Sequence, residues 1–447
     1  MKLANRRILF LGFVVLFCGS AVGVILYTNG YRYHPKKKSI EKTGELVVET
    51  IPNRSDIYLN GEKAFSHIFG LQAGQAQTPT TVSYLPSGDY RLELKKEGYY
   101  PWTADITVYS GRSTLVKDRE LLKMHEPQLL VQQQGIAALE RIDAARICFS
   151  AGNDIFVFNE STKQSERIYH GSALDQSFLL PSPRGTKLII RDKGLYQIVD
   201  IESADVTVLE RQSQWKGIQW LSEQRLLATT PTSALAIALP SQKQEIIYRG
   251  AIGDSVHIDG AAMLLVHSNN GSTLLRVSGE QGIQTTEMAH FPAMFKSIAS
   301  TYDRLVALQD KKNDLFLYDA ASPTTALVQL PKGRLYWQSR NRFALTNDFE
   351  LWIYEKSGDG YQSSLITRQS NTISDIFFIN DSSYIFFVSD KKIKAIDVSV
   401  AGALNRYVFE GDDTGSSILS NDGTRLYSTT MIKGERGLFE VVGPFQR

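Results

Sequence analysis

The residues best suited to nucleophilic or metal chemistry in this 447-residue chain are seven histidines and two cysteines, and their spacing builds neither. His34, His67, His125, His170, His257, His267 and His290 form no His-Glu-x-x-His pair or other ligand spacing. His257 and His267 flank one hairpin and could meet across it, but a pair satisfied locally or facing solvent accounts for them as well. Cys148 sits in the apolar run Arg146-Ile147-Cys148-Phe149 and reads as a core thiol. With Cys18 as the other cysteine, a disulfide framework and a cysteine-rich zinc site are both excluded. No Gly-x-Ser-x-Gly occurs. Gly411-Asp412-Asp413-Thr414-Gly415 is a polar turn that opens no helix, and it lacks the alternating oxygen ligands of a calcium loop. Paired carboxylates for glycan hydrolysis could still come together from distant segments, although no Ser-x-Asp-x-Gly-x-x-Trp box repeats. The sequence therefore assigns no catalytic, cofactor-binding or metal-binding residue, and non-enzymatic function is expected.

Charge says more about address than about chemistry. Lysine and arginine total 49 against 47 acidic residues, but residues 1–42 hold eight of the cations and only Glu41 of the acids. The body is thus mildly acidic, which argues against nucleic acid as a partner. Residues 8–27 carry no charge. At about 1.5 Å per residue this run gives roughly 30 Å, the thickness of a bilayer core. It is longer than the apolar region of a signal peptide, no Ala-x-Ala follows it, and Phe17 before Cys18 does not suit lipoprotein processing. Residues 1–28 read as a short tip and one membrane anchor. Cations flank both ends (Lys2, Arg6 and Arg7; Arg32, Lys36, Lys37 and Lys38), so local charge does not orient it. Residues 29–43, with Pro35 and the lysine triplet, read as an extended, solvated, basic stalk.

From 44 to 122 short alternating runs are separated by turn signals, as in a small antiparallel β-sandwich. They include Glu45 to Ile51, Asp56 to Leu59 before Asn60-Gly61, Thr81 to Leu85 before Pro86-Ser87-Gly88, and Tyr90 to Leu94. Pro52, Ile57-Tyr58-Leu59-Asn60-Gly61, Thr78-Pro79, Leu85-Pro86-Ser87-Gly88-Asp89-Tyr90 and Lys96-Glu97-Gly98-Tyr99 make this segment resemble the PEGA family of bacterial envelope modules. Asn53-Arg54-Ser55 departs from the family's Gly-Ala, and residues 64–77 look like an inserted loop with specificity of its own. The resemblance implies a non-catalytic, extracytoplasmic module between a membrane anchor and another domain, with the amino terminus inside.

From about 123 to 447 one phrase recurs with a period near forty. Its clearest mark is a strand beginning near Asp154, Gly194, Ser233, Ser272, Asp314, Glu350, Lys392 and Gly437, rich in Ile, Val, Phe and Tyr with period-two alternation. Eight such units predict a β-propeller of four-stranded blades, with seven as the alternative count. The last unit runs out near residues 437–442, while Pro127 to Gln132 is an unclaimed strand. We expect it to supply the outer strand of the last blade. Ser182-Pro183-Arg184-Gly185 and Ser420-Asn421-Asp422-Gly423 resemble turns of propellers similar to the Tol-system periplasmic protein and WD-repeat proteins, although no Trp-Asp signature recurs. Trp215, Trp220, Trp337 and Trp352 fit packing between blades, and Tyr336-Trp337 could instead line the channel mouth as a binding surface.

The chain is thus expected to be all-β behind one transmembrane helix: a single-pass protein of the cytoplasmic membrane with its body outside. Its expected role is binding or scaffolding, through propeller loops, of an envelope protein or cell-wall glycan. The alternatives are a propeller-type glycan hydrolase or lyase, and an envelope sensor acting through a membrane partner.

Overall fold

The computed structural model describes residues 3–34, 39–68, 71–258, 261–279, 282–358, 360–380, 382–399 and 405–442. The lysine triplet Lys36 to Lys38 with Pro35, and the turn Asp259-Gly260, lie outside them. The chain divides into two compact units, one holding residues up to Met124 and the other nearly all described residues from His125 on.

In the first unit, helix α1 (Leu3–Thr28) includes a stretch, Phe10–Thr28, long and apolar enough to cross a membrane, as a membrane anchor or a signal sequence is. It ends where Gly30, with φ of 82°, takes the left-handed conformation that a side chain would resist. The expected stalk is instead a hairpin: Tyr31–His34 pairs antiparallel with Ser39–Lys42. Aromatic and β-branched residues alternating over four positions favour that pairing over an extended run.

Seven further strands build the module that follows, in sheets of three and four strands. Leu46, Val48, Ile57, Leu92, Leu94 and Trp102 are buried in it. Asn60 and Gly61 both have positive φ, the geometry of the tight turn that joins Asp56–Leu59 to Glu62–Lys63. Two expectations are corrected. The module is not purely antiparallel, because Ser113–Glu120 runs parallel to Gly44–Ile51. Residues 64–77 are not an irregular loop: Phe65–Ile68 pairs with Leu71–Gln75, leaving only 69 and 70 outside the described residues. Buried Ala64 and Ala76, joined by a backbone hydrogen bond of 2.9 Å, anchor that hairpin.

The second unit is a β-propeller built as eight four-stranded antiparallel sheets. Seven are continuous in sequence and span 136–170, 174–208, 217–249, 251–291, 297–330, 334–368 and 373–408. We label the strands of each sheet a to d from the inner edge outward, which is chain order in the seven continuous sheets; the a strands of neighbouring sheets lie side by side and form the inner wall. The b strands are buried over most of their length, as in Ile147–Ala151 and Tyr384–Ser389, because neighbouring sheets cover both of their faces. The d strands, such as Gln164–His170, are mostly exposed. The eighth sheet takes three strands from the end of the described chain (Ser417–Leu419, Leu426–Ile432, Glu435–Val442) and its outer strand, Gln128–Val131, from before the first sheet. The ring therefore closes as expected from the unclaimed strand.

Buried polar groups tie strand ends to the connections. Asp192, ending a b strand, accepts hydrogen bonds from the amides of Ala173 (2.7 Å) and Ser172 (3.3 Å) and from the Tyr169 hydroxyl (2.9 Å). Burial pushes its carboxyl up, but these hydrogen bonds outweigh burial and hold it below the ordinary carboxylate range. A carboxyl with a lowered folded-state pKa stabilises the fold fully above its unfolded pKa and loses that contribution as pH falls through the folded value. Asp192→Asn should therefore cost about 1–3 kcal/mol at neutral pH. The deficit should narrow in acid, as read by urea unfolding of both proteins at the two pH values.

Candidate binding cleft

Each sheet runs up, down, up, down, so the d-to-a connections and the b–c turns emerge on one face while the a–b and c–d turns emerge on the other. On the first of these faces, beside the sixth, seventh and eighth sheets, lies a cleft of about 710 Å³. Its walls are Phe349 from the b–c turn of the sixth sheet and Ser370, Asn371 and Thr372 from the connection onward. Ser374 and Asp375 come from the seventh a strand, Val388 from the end of the next b strand, Asp390 and Lys391 from the b–c turn after it, and Thr414, Gly415 and Ser416 from the connection to the eighth sheet.

Local sequence explains how these groups are held. Asp390 and Lys391 both have positive φ (58° and 55°), so the b–c turn reverses in two residues and brings Lys391 to the rim. There the Lys391 ammonium pairs with Asp413 at 2.6 Å, and Arg436 pairs with the other oxygen of the same carboxylate. These two cations hold the Asp413 carboxyl below the usual range. The Lys391 carbonyl accepts from the Thr414 amide at 2.9 Å, binding the turn to the next connection. Beneath the floor Arg334 donates to the Ser374 carbonyl at 3.0 Å, to the Ile373 carbonyl and to Asp348 at 3.1 Å. Asp375 is half-buried, and burial raises its carboxyl although nearby Arg334 opposes the shift. The lining therefore offers hydroxyls, one amide side chain, one cation, carboxylates and an exposed aromatic ring, with Phe349 48% accessible. That set suits recognition of a polar chain by many hydrogen bonds. It presents no serine or cysteine paired with a base.

The structure places the two sequence candidates at seams between sheets, just beneath this region. The Tyr336 hydroxyl donates to the Ser374 carbonyl at 2.9 Å, and burial pushes its phenol up to about 12. Tyr336 packs against a buried cluster that includes Ala344, Ile353 and Ile376. The Trp337 indole donates to Ser300 Oγ at 2.7 Å and its ring lies 5.4 Å from Tyr302 and 5.2 Å from Phe343. Both side chains are half-buried, and only Tyr336 reaches a cleft-lining residue. Asp375, Lys391 and the 370–372 connection were not singled out by sequence reasoning, though the polar run Gln369-Ser370-Asn371-Thr372 between two apolar strands is a visible signal.

The other candidates find ordinary surroundings. His257 stands opposite Ala262 and His267 opposite Ala251, so the two histidines do not meet. His257 Nδ1 lies 2.6 Å from the Trp220 carbonyl and His267 Nδ1 lies 3.2 Å from Ser272 Oγ. Cys148 is fully buried, which pushes its thiol far above the ordinary range. Asp412 pairs with Lys392 at 3.1 Å. Among the described residues no group of three or more His, Cys, Asp or Glu side chains could hold a metal ion. Three carboxyls on the inner wall or near it, Glu140, Asp254 and Asp375, are raised by burial. Glu140 is exposed on the first a strand, and the protein around its carboxyl still raises it.

Comparison with known proteins matches one segment of the chain to a family. Residues 43–119 match the PEGA domain family, in the segment where the motifs indicated it. The chain also shows a low similarity to solved structures. The WD40 domain of SCAP from fission yeast shares 10% identity at a TM-score of 0.48, over 71% of this chain and 94% of that one. BamB from Moraxella catarrhalis shares 10% at 0.45, over 71% and 98%. The dihydro-heme d1 dehydrogenase NirN, in complex with DHE, shares 10% at 0.47, over 72% and 77%. At such identities the likeness concerns fold alone, and the propeller assignment rests on strand topology. No curated protein matches the chain significantly.

Proposed function

We propose that this protein is a binding or scaffold protein of the bacterial cell envelope. It is anchored in the cytoplasmic membrane by α1, with the amino terminus inside and the strands of both units outside. The cleft between d-to-a connections is where it takes a protein or glycan partner. The observation that carries this reading is the cleft itself: large, open, polar, rigidly held and without a nucleophile–base pair. The extracytoplasmic placement is supported by the PEGA match at 43–119, directly after the apolar helix. Domain limits of 1–28, 29–43, 44–122 and 123–447 belong to the same proposal.

Photo-crosslinking amino acids placed in cells at Phe349 and at Gln242, which sits on a c–d turn of the opposite face, test the site. We expect a specific adduct, to an envelope protein or to cell-wall glycan, from position 349 alone, and its loss on Lys391→Glu. Equal adducts from both positions, or none from 349, would remove the cleft from the account.

The carboxyls of Glu140, Asp254 and Asp375, raised by burial, support a second reading, glycan cleavage, whose general acid is a carboxyl shifted upward by its surroundings. Loss of glycan turnover in an Asp375→Asn variant that still binds would favour it over simple binding.

A further inference from the structure

A second cavity, of about 350 Å³, lies where α1 ends and the first unit begins. Thr28, Asn29 and Gly30 line it from the helix end, and Lys42, Glu45 and Arg112 bring its charges. The junction is held without slack. Thr43 donates from its amide (2.9 Å) and its hydroxyl (2.7 Å) to the Gly30 carbonyl, and its own carbonyl accepts from the Gly111 amide at 2.9 Å. The Arg32 guanidinium lies over the Tyr27 ring at 3.6 Å and the Tyr84 ring at 4.1 Å, and donates to the Tyr27 carbonyl at 2.8 Å. The Lys42 side chain folds over Gly111, whose place a larger residue would contest, so that its ammonium stands beside the loop that carries Arg112.

The hairpin register adds an independent observation. Tyr31 stands opposite Lys42 and Tyr33 opposite Ile40, so these four side chains share one face, and all four are exposed. The other face turns the half-buried Arg32 and Glu41 inward. Exposed tyrosines with a lysine, next to the end of a helix long enough to span a bilayer, are the composition of a membrane–water interface. Cations exceed acids over residues 29–45, where Arg32, Lys36, Lys37, Lys38 and Lys42 face only Glu41 and Glu45.

We propose that this cavity and the adjoining hairpin face hold the headgroup of an anionic phospholipid, its phosphate taken by Lys42 and Arg112 and its glycerol end flanked by Tyr31, Tyr33 and Ile40. The first unit is then fixed against the bilayer rather than hanging from it. Glu45, whose carboxylate accepts from Ser113 at 3.3 Å, sets a limit on how much negative charge the cavity accepts. The inference rests on α1 being a membrane anchor.

Hydrogen exchange of the full chain in nanodiscs tests it, comparing phosphatidylglycerol–phosphatidylcholine mixtures with phosphatidylcholine alone. Amides of 42–45 and 109–113 should exchange about tenfold more slowly with the anionic lipid, since each surface cation contributes to attraction by such lipid. Lys42→Gln with Arg112→Gln should abolish the difference while exchange in strand Gly88–Lys95 stays unchanged, and Arg112→Lys should largely retain it. Equal exchange in both lipids overturns the site. Protection reproduced in phosphatidylcholine discs by inorganic phosphate overturns the lipid assignment in favour of a soluble anion. A chain that does not co-migrate with the discs overturns the anchor reading, and the lipid site with it.

Discussion

Replacing Gln128–Val131 with glycine and serine should cost the second unit its single cooperative unfolding transition. In this strand Leu129 pairs with Phe439 and Val131 with Leu438, and Leu130 and Val131 pack against a buried cluster that includes Leu139, Phe149, Tyr427 and Leu438. Removing the half-buried Leu130 and Val131 from that cluster forfeits about 2–4 kcal/mol, since full burial is worth roughly 1.5–3 kcal/mol each. For a unit of this size that is a fall of roughly 5 °C in melting temperature. The larger effect is topological: without this strand the last sheet has an open edge, and the ring is no longer closed by pairing the two ends of the unit. Gly437 sharpens the test. A Cβ built there would lie 2.1 Å from the Val131 carbonyl oxygen, so Gly437→Val should reproduce much of the loss without touching the strand itself. Differential scanning calorimetry checks both. A single transition at the wild-type temperature in either variant contradicts the closure.

The second large effect is expected at Glu160, which joins the same seam with side chains. One carboxylate oxygen pairs with Arg141 at 2.6 Å and the other accepts from the buried Tyr427 hydroxyl at 2.9 Å. Arg141 in turn donates to the Leu419 carbonyl at 2.6 Å, so the network links the first sheet to the eighth. Burial first, and then the neighbouring Glu160, push the Tyr427 phenol well above its ordinary range, so it remains a donor at any physiological pH. Glu160→Ala leaves a guanidinium and a phenol without this partner in a site where the carboxylate is only 10% accessible. Breaking such a pair costs about 3–5 kcal/mol. Glu160→Gln keeps the shape and one hydrogen bond, and should cost clearly less. Chemical denaturation of the two variants gives the comparison, and equal costs would mean that packing, not charge, joins the seam.

How far the sequence carried this architecture follows from what each kind of signal encodes. The c strands were legible to within two residues: Asp154–Asn159, Ser233–Ala238 and Glu350–Ser357 begin at the predicted positions, because alternation around aromatic and β-branched residues is a local pattern. The closing strand was legible by elimination, since a strand without a partner must find one. The parallel pairing of Ser113–Glu120 was not, because strand direction is decided by distant packing. The hairpin at 31–42 was hidden by its own charge: a lysine triplet reads as solvated chain, while the pairing of Tyr31 with Lys42 and Tyr33 with Ile40 depends on what lies beyond the helix end.

The cleft was hardly legible. Its lining comes from three sheets, and a forty-residue repeat places Phe349, Lys391 and Ser416 far apart in sequence and together in space. The inner strands add a further obstacle. Register shifts fall between Ile252 and Asp254, Ile298 and Ser300, and Ile373 and Asp375, and each re-aims the residues that follow. Strict alternation therefore misassigns which side chains face a neighbouring sheet. Tyr336 and Trp337 precede the shift in their own strand, between Trp337 and Ser339, and alternate into the seams on either side.

The central claim is that a membrane anchor holds both units outside the cytoplasm. Protease treatment of intact cells and of cells stripped of their outer layers, with an epitope at the carboxyl terminus, tests it most directly. The account predicts that the epitope is lost before the cytoplasmic membrane is opened, in whole cells or once the outer layers are gone. Protection that ends only when the cytoplasmic membrane is broken would place the propeller inside and contradict it.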